Sequence, residues 1–144
     1  MNAARNNVLQ LLLSAVPGAR FDAENLPLIV SFKNNGDTPV RLLDHFQPLP
    51  VFFSFQVVKA NGTPLLIPGG GKIDFSPGGM RYLELGPGQQ RDVAVNPARL
   101  LTTPLQPGGY SVAVTYHNQY GEDCFHGTLQ SNPVTVEIGS GSDR

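Results

Sequence analysis

The sequence predicts an all-β fold, an antiparallel sandwich of about eight or nine short strands, and three observations carry that reading. The first is the run Leu105-Gln106-Pro107-Gly108-Gly109 leading into Tyr110-Ser111-Val112-Ala113-Val114-Thr115-Tyr116. Pro107 presets one turn dihedral and a glycine after it can take positive φ. Tyr110, Val112, Val114 and Tyr116 then alternate with Ser111, Ala113 and Thr115 as the two faces of a strand. The second is composition: 16 glycines and 13 prolines in 144 residues, with 15% charged residues where roughly 25% is usual. Glycine and proline punctuate turns and are excluded from helix interiors, so many strands joined by many turns are expected. The third is a period of two that returns along the chain, with room for one short helical turn near 97–103.

The elements follow in order. Val8 to Val16, behind Arg5, has the superficial look of a secretory leader. The apolar run is short, Gln10 and Ser14 interrupt it, and Pro17 spoils a small-residue cleavage pattern near Ala19, so a first strand is expected and no signal peptide is assigned. Leu28, Val30 and Phe32 face one way in the next strand, which Asn34-Asn35-Gly36-Asp37 breaks. Pro39 to Asp44 sets Val40 and Leu42 against Arg41 and Leu43. Val51, Phe53, Phe55 and Val57 line one face of a strand that Ala60-Asn61-Gly62 turns back into Thr63 to Ile67, a hairpin signal. A Gly- and Pro-rich connection from Pro68 to Gly79 carries Ile73 and Phe75. Arg81 to Leu85 and Gln90 to Val95 flank Gly86-Pro87-Gly88. Asn96 is placed to cap a turn that starts at Pro97 and crosses between sheets. Beyond Tyr116 come a second long connection, His117 to His126, and the strands Thr128 to Gln130 and Val134 to Ile138.

One domain covers 1–144, with its core in 8–138 and a flexible Gly, Ser and charged tail over 139–144. A net charge of -1 and a pI near 6.3 leave no electrostatic footprint for nucleic acid or an anionic membrane surface. No run has the length of a membrane span. Cys124 is the single cysteine, so no internal disulfide is available and the compartment stays open.

Leu105-x-Pro107-Gly108-x-Tyr110-x-Val112-x-Val114, the break at Leu85-x-Pro87-Gly88 and the closing Ser131-Asn132-Pro133-Val134-x-Val136 resemble immunoglobulin-like and fibronectin type III-like sandwich domains of bacteria. The segment Asn34-Asn35-Gly36-Asp37-Thr38-Pro39-Val40 is similar to that of accessory domains such as those ahead of some secreted metallopeptidase domains. The resemblance spans about residues 8–138 and implies an immunoglobulin-like topology with Tyr110 as a tyrosine corner, its phenol bonded to backbone upstream. The chain departs from that pattern in having no Trp and no cysteine pair to pin the sheets.

No catalytic set is complete: neither Gly-x-Ser-x-Gly nor His-Glu-x-x-His occurs, and His45, His117 and His126 are the only histidines. No enzyme activity and no cofactor are therefore expected. The sharpest constellation is His117-x5-Asp123-Cys124-x-His126, whose imidazoles and thiol are donors suited to Zn or Cu. No Met follows His126 as an axial ligand, and the expectation is polar loop residues beside a small buried thiol, with no metal. Pro68-Gly69-Gly70-Gly71-Lys72 lacks the helix and the hydroxyl residue of a phosphate loop. Asp22, Glu24 and Asn25 supply fewer oxygens than the six to eight of calcium and read as a polar turn. Among aromatics, Phe46, Phe52, Tyr82 and Tyr120 are least committed to the core. Continuous strand through Val51-Phe52-Phe53 would put Phe52 opposite Phe53, facing outward or under the Gly-rich connection.

These readings point to a non-catalytic binding or accessory module that contacts protein, another copy of the chain included, through Phe52, Phe75 and Tyr120 near the two long connections. A small metal-binding protein using His117, Cys124 and His126 is the alternative. A peptidase inhibitor acting through its loops is a further one, by analogy of fold.

Overall fold

A computed structural model describes residues 8–67, 69–101 and 104–139. Beyond Gly139 the tail expected to be flexible lies outside the described residues, as do Pro68 and positions 102 and 103 of the two connections named above.

Ten strands form among the described residues: β1 (Leu9–Ala15), β2 (Leu28–Asn34), β3 (Val40–Leu43), β4 (Phe53–Lys59), β5 (Pro64–Ile67), β6 (Tyr82–Leu85), β7 (Gln90–Val95), β8 (Gly108–Asn118), β9 (Gly127–Gln130) and β10 (Val134–Ile138). Each corresponds to a segment picked out by the sequence, the four-residue β3, β5, β6 and β9 included. All pairings are antiparallel. One sheet has the order β1-β2-β7; the other has the order β10-β8-β4-β5, with β9 also on β8; β3 and β6 form a separate ribbon.

The sheets bury the faces that the sequence alternation assigns inward. Leu9, Leu11, Leu13, Leu28, Val30 and Phe32 come from one sheet, and Phe53, Phe55, Val57, Val112, Val114, Tyr116, Val136 and Ile138 from the other. Each large side chain so removed from water contributes roughly 1.5 to 3 kcal/mol. Phe32 crosses the gap, its ring 4.7 Å from Tyr116 and 6.4 Å from Phe53, and Phe53 lies 5.6 Å from Tyr116.

The topology is immunoglobulin-like. The first, second and seventh strands share one sheet, and β4, β8 and β10 form the core of the other. Tyr110 opens β8 as the corner residue: it is 4% exposed and donates its hydroxyl to the Gln106 carbonyl at 2.7 Å. Two residues on, where antibody domains carry the second bridging cysteine, this chain has the fully buried Val112.

Two local expectations are corrected. The strand expected to include Val51 starts at Phe53, because Leu49–Phe52 forms a single helical turn, α1, with Pro50 within its first positions. Asn96 holds the N-cap position of the 3-10 helix Pro97–Leu100 but gives that helix no side-chain bond. Its Oδ1 accepts instead from the Leu26 N–H at 2.8 Å, tying the crossing to the start of β2.

Candidate functional site

Two long connections meet at the end of the sandwich where β4 begins and β8 finishes. The segment 69–79 lies directly on the backbone of α1. Gly70 N–H donates to the Pro50 carbonyl at 2.6 Å, and a Cβ on Gly69 would stand 3.0 Å from that oxygen and 3.2 Å from the Phe53 carbonyl oxygen. Glycine is what permits so close an approach of two backbones.

Asn118, 1% exposed, organises the other connection. Its Nδ2 donates to the carbonyls of Tyr120 and Phe125, both at 3.0 Å, while its Oδ1 accepts from Tyr120 N–H at 3.0 Å. His126 turns inward on the same loop, its Nε2 standing 3.0 Å from the Tyr120 carbonyl and 2.9 Å from that of Gly121. Two carbonyl neighbours make that nitrogen the protonated one. Cys124 directs its Sγ to the Tyr120 carbonyl at 3.4 Å. Burial pushes its thiol up, against the opposing pull of the Arg41 guanidinium.

Tyr120 joins the two connections. Its hydroxyl accepts the Ile73 N–H at 3.3 Å, and its ring meets Phe52 and Phe75 edge-on at 6.0 and 5.7 Å. Phe75 in turn contacts His45 at 4.8 Å. His45 accepts the Arg81 N–H on Nε2 at 2.8 Å, and burial, then the charge of Arg81, lowers its basicity. A row of four rings thus runs from the core to the surface.

Beside this row opens a cleft of about 240 Å³. Val51, Phe52 and Tyr120 make an apolar wall, Ser54, Thr115 and His117 a polar one, and Gly69, Gly70, Gly71 and Gln119 the rim. Among the described residues, no Asp, Glu, Lys or Arg lines it.

The three aromatics singled out from the sequence do come together, with one correction. Phe52 is 1% exposed, so it stands buried in the cleft wall against Tyr120 and not on the outer surface. Phe75 and Tyr120 are half-buried. The candidate metal ligands do not converge: His117 leaves on the outer face of β8, 3.3 Å from Thr128 Oγ1, while His126 and Cys124 are turned onto loop carbonyls. Among the described residues no three of His, Cys, Asp and Glu are grouped to hold a metal. Asp22, Glu24 and Asn25 form the polar turn, with Asp22 Oδ1 accepting from Glu24 N–H at 3.0 Å and Asn25 Nδ2 at 3.3 Å. Sequence reasoning missed His45, Asn118 and Gln119 as parts of this end. A buried amide that serves loop carbonyls carries no local pattern to reveal it.

No protein-family model and no curated protein matches the chain. Among solved structures it is similar to the CARDB domain of a Pyrococcus furiosus protein in complex with di-metal ions, at 17% identity over 91% of this chain and 94% of that one, with a TM-score of 0.38. It is also similar to a β-glucosidase from Listeria innocua in complex with gluconolactone, at 15% identity and a TM-score of 0.42, over 92% of this chain but 16% of the enzyme's.

Proposed function

We propose that this chain is a non-catalytic interaction module that engages a protein partner at the cleft between segments 69–79 and 119–126. The observation that carries the reading is the meeting of both long connections on Tyr120, around a lining free of charge. Side chains that would need an ionic partner are absent there, so an uncharged, partly apolar segment can be buried without stranding a charge. Half-buried Val51, Ile73 and Phe75 add apolar surface around the opening. The placement of the histidines favours a non-catalytic role. His45 and His126 are engaged with backbone groups, and His117 contacts only a threonine hydroxyl.

Site-specific photo-cross-linking tests this. A cross-linker at Gln119, exposed on the rim, is expected to capture a defined protein, a second copy of the chain included, while one at Asp92 on the other sheet captures none. Gln119→Arg should then weaken binding of that purified partner by about tenfold, since an arginine would be desolvated without a counter-charge. No capture at Gln119, or equal capture at both positions, would sink the proposal.

A further inference from the structure

The chain has two Asn–Gly steps, Asn35–Gly36 and Asn61–Gly62, and the fold treats them oppositely. We infer that Asn61 is a site of spontaneous deamidation in the folded protein, and that Asn35 is protected by the same fold.

Asn61 and Gly62 are both exposed at the tip of the β4–β5 hairpin. Gly62 has φ +92°, and a Cβ built on it would meet nothing within 4 Å. The Asn61 Oδ1 accepts the Thr63 N–H at 3.0 Å. That bond draws the side-chain carbonyl toward the backbone that follows and polarises it for attack at Cγ. The Gly62 N–H is held by the Lys59 carbonyl at 2.8 Å, a bond at an exposed tip that opens locally at small cost.

The chemistry needs only water and hydroxide. Gly62 N, having lost its proton to hydroxide, bonds to Asn61 Cγ. The Cγ–Nδ2 bond breaks as Nδ2 takes a proton from water, so ammonia leaves, hydroxide is regenerated and a five-membered cyclic imide remains. Water then adds at one of the two imide carbonyls. Opening at Cγ gives aspartate, and opening at the main-chain carbonyl gives isoaspartate; either product carries a new carboxylate.

Asn35 has the same neighbour and none of the freedom. Its N–H donates to the Val8 carbonyl at 2.8 Å, and its Nδ2 to Gln10 Oε1 at 2.5 Å. Gly36 N–H is held at 2.8 Å by Oδ1 of the fully buried Asn34, and a Cβ on Gly36 would stand 2.9 Å from Val8. Closing the imide there would break several bonds at the end of β2 and push Gly36 into that side chain.

The hairpin tip is separated from the cleft by the length of β4, about 20 Å at the usual rise per residue, so this inference stands apart from the proposed function. The test is to age the native protein and a urea-unfolded sample in warm, mildly alkaline buffer, then compare tryptic peptides 60–72 and 34–41 for replacement of NH2 by OH and for isoaspartate. Conversion at Asn61 is expected to outpace that at Asn35 by about tenfold in the native sample, the equivalent of roughly one protected hydrogen bond. The two rates should draw level in urea. Equal rates in the native protein, faster conversion at Asn35, or an Asn61 that converts only when unfolded would overturn it.

Discussion

Phe32 of β2 meets Tyr116 of β8 edge to face across the two sheets, with ring centroids 4.7 Å apart. Phe53 of β4 joins them, so the second, fourth and eighth strands are pinned by one aromatic cluster across the core. Such a pin needs no oxidising compartment, and the edge-on Phe32–Tyr116 pair contributes about 0.5 to 1.5 kcal/mol beyond burial. The tyrosine that takes part also leads to a contrast with the corner tyrosine of the same strand.

Tyr110→Phe removes the hydroxyl that bonds the Gln106 carbonyl. Urea denaturation should show a loss of about 0.5 to 1.5 kcal/mol. An unchanged midpoint would mean that the corner bond contributes nothing.

Tyr116→Phe should do the reverse. This residue is fully buried, and its hydroxyl has no hydrogen-bond partner among the described residues; burial drives its ionisation far upward. Removing the oxygen keeps the ring in the aromatic pin, so stability is expected to hold or to rise by up to about 1 kcal/mol. A loss matching that of Tyr110→Phe would show that this hydroxyl is partnered in solution.

Asn34 is 0% exposed and makes three bonds, from Nδ2 to the Thr38 and Leu85 carbonyls and to Oδ1 from Gly36 N–H, at 2.8 to 2.9 Å. Asn34→Ala should cost about 3 kcal/mol by thermal or chemical denaturation. Asn35→Ala, next to it but exposed, should stay within about 0.5 kcal/mol.

His45 gives stability a pH dependence. Its folded pKa lies below the ordinary histidine value of 6.5, so folding favours the neutral ring that accepts the Arg81 N–H. The contribution is present above pH 6.5 and is lost as pH falls through the lower folded value. Asp44 opposes this shift without reversing it. The urea midpoint of the wild type should therefore decline from pH 6.5 downward more steeply than that of His45→Gln. Parallel profiles would remove His45 from the account.

What was legible in the sequence was what repeats locally. Alternation placed β2, β7 and β10 and the inward face of β8, and Gln106-Pro107-Gly108 with Tyr110 foretold the corner bond. Phe52 was misread because the β-like run Val51-Phe52-Phe53 hides one helical turn; prolines at 48 and 50 were the available sign of it. Asn34 reads as part of a strand break and Asn96 as a cap, yet these two, like Asn118 and Asn132, act on backbone groups away from their own turn. Asn34 reaches Leu85, Asn96 reaches Leu26, Asn118 holds the far end of its loop, and Asn132 reaches Leu13. An amide's preference for turns is local and readable, whereas its choice of a remote backbone partner depends on the assembled fold. The cleft, too, rests on a contact between segments far apart in sequence, Ile73 with Tyr120, which periodicity does not encode.

The reach of Asn132 has one further consequence. Its Oδ1 accepts the Leu13 N–H at 2.9 Å and its Nδ2 donates to the Leu13 carbonyl at 3.0 Å, so one side-chain amide imitates the peptide group of a neighbouring strand. β1 is an outermost strand, the kind of border along which foreign chains add and fibrils grow. A polypeptide arriving there would first have to evict an amide already seated in the middle of the border. The molecule thus guards this flank against templated stacking with a single plug that carries no charge.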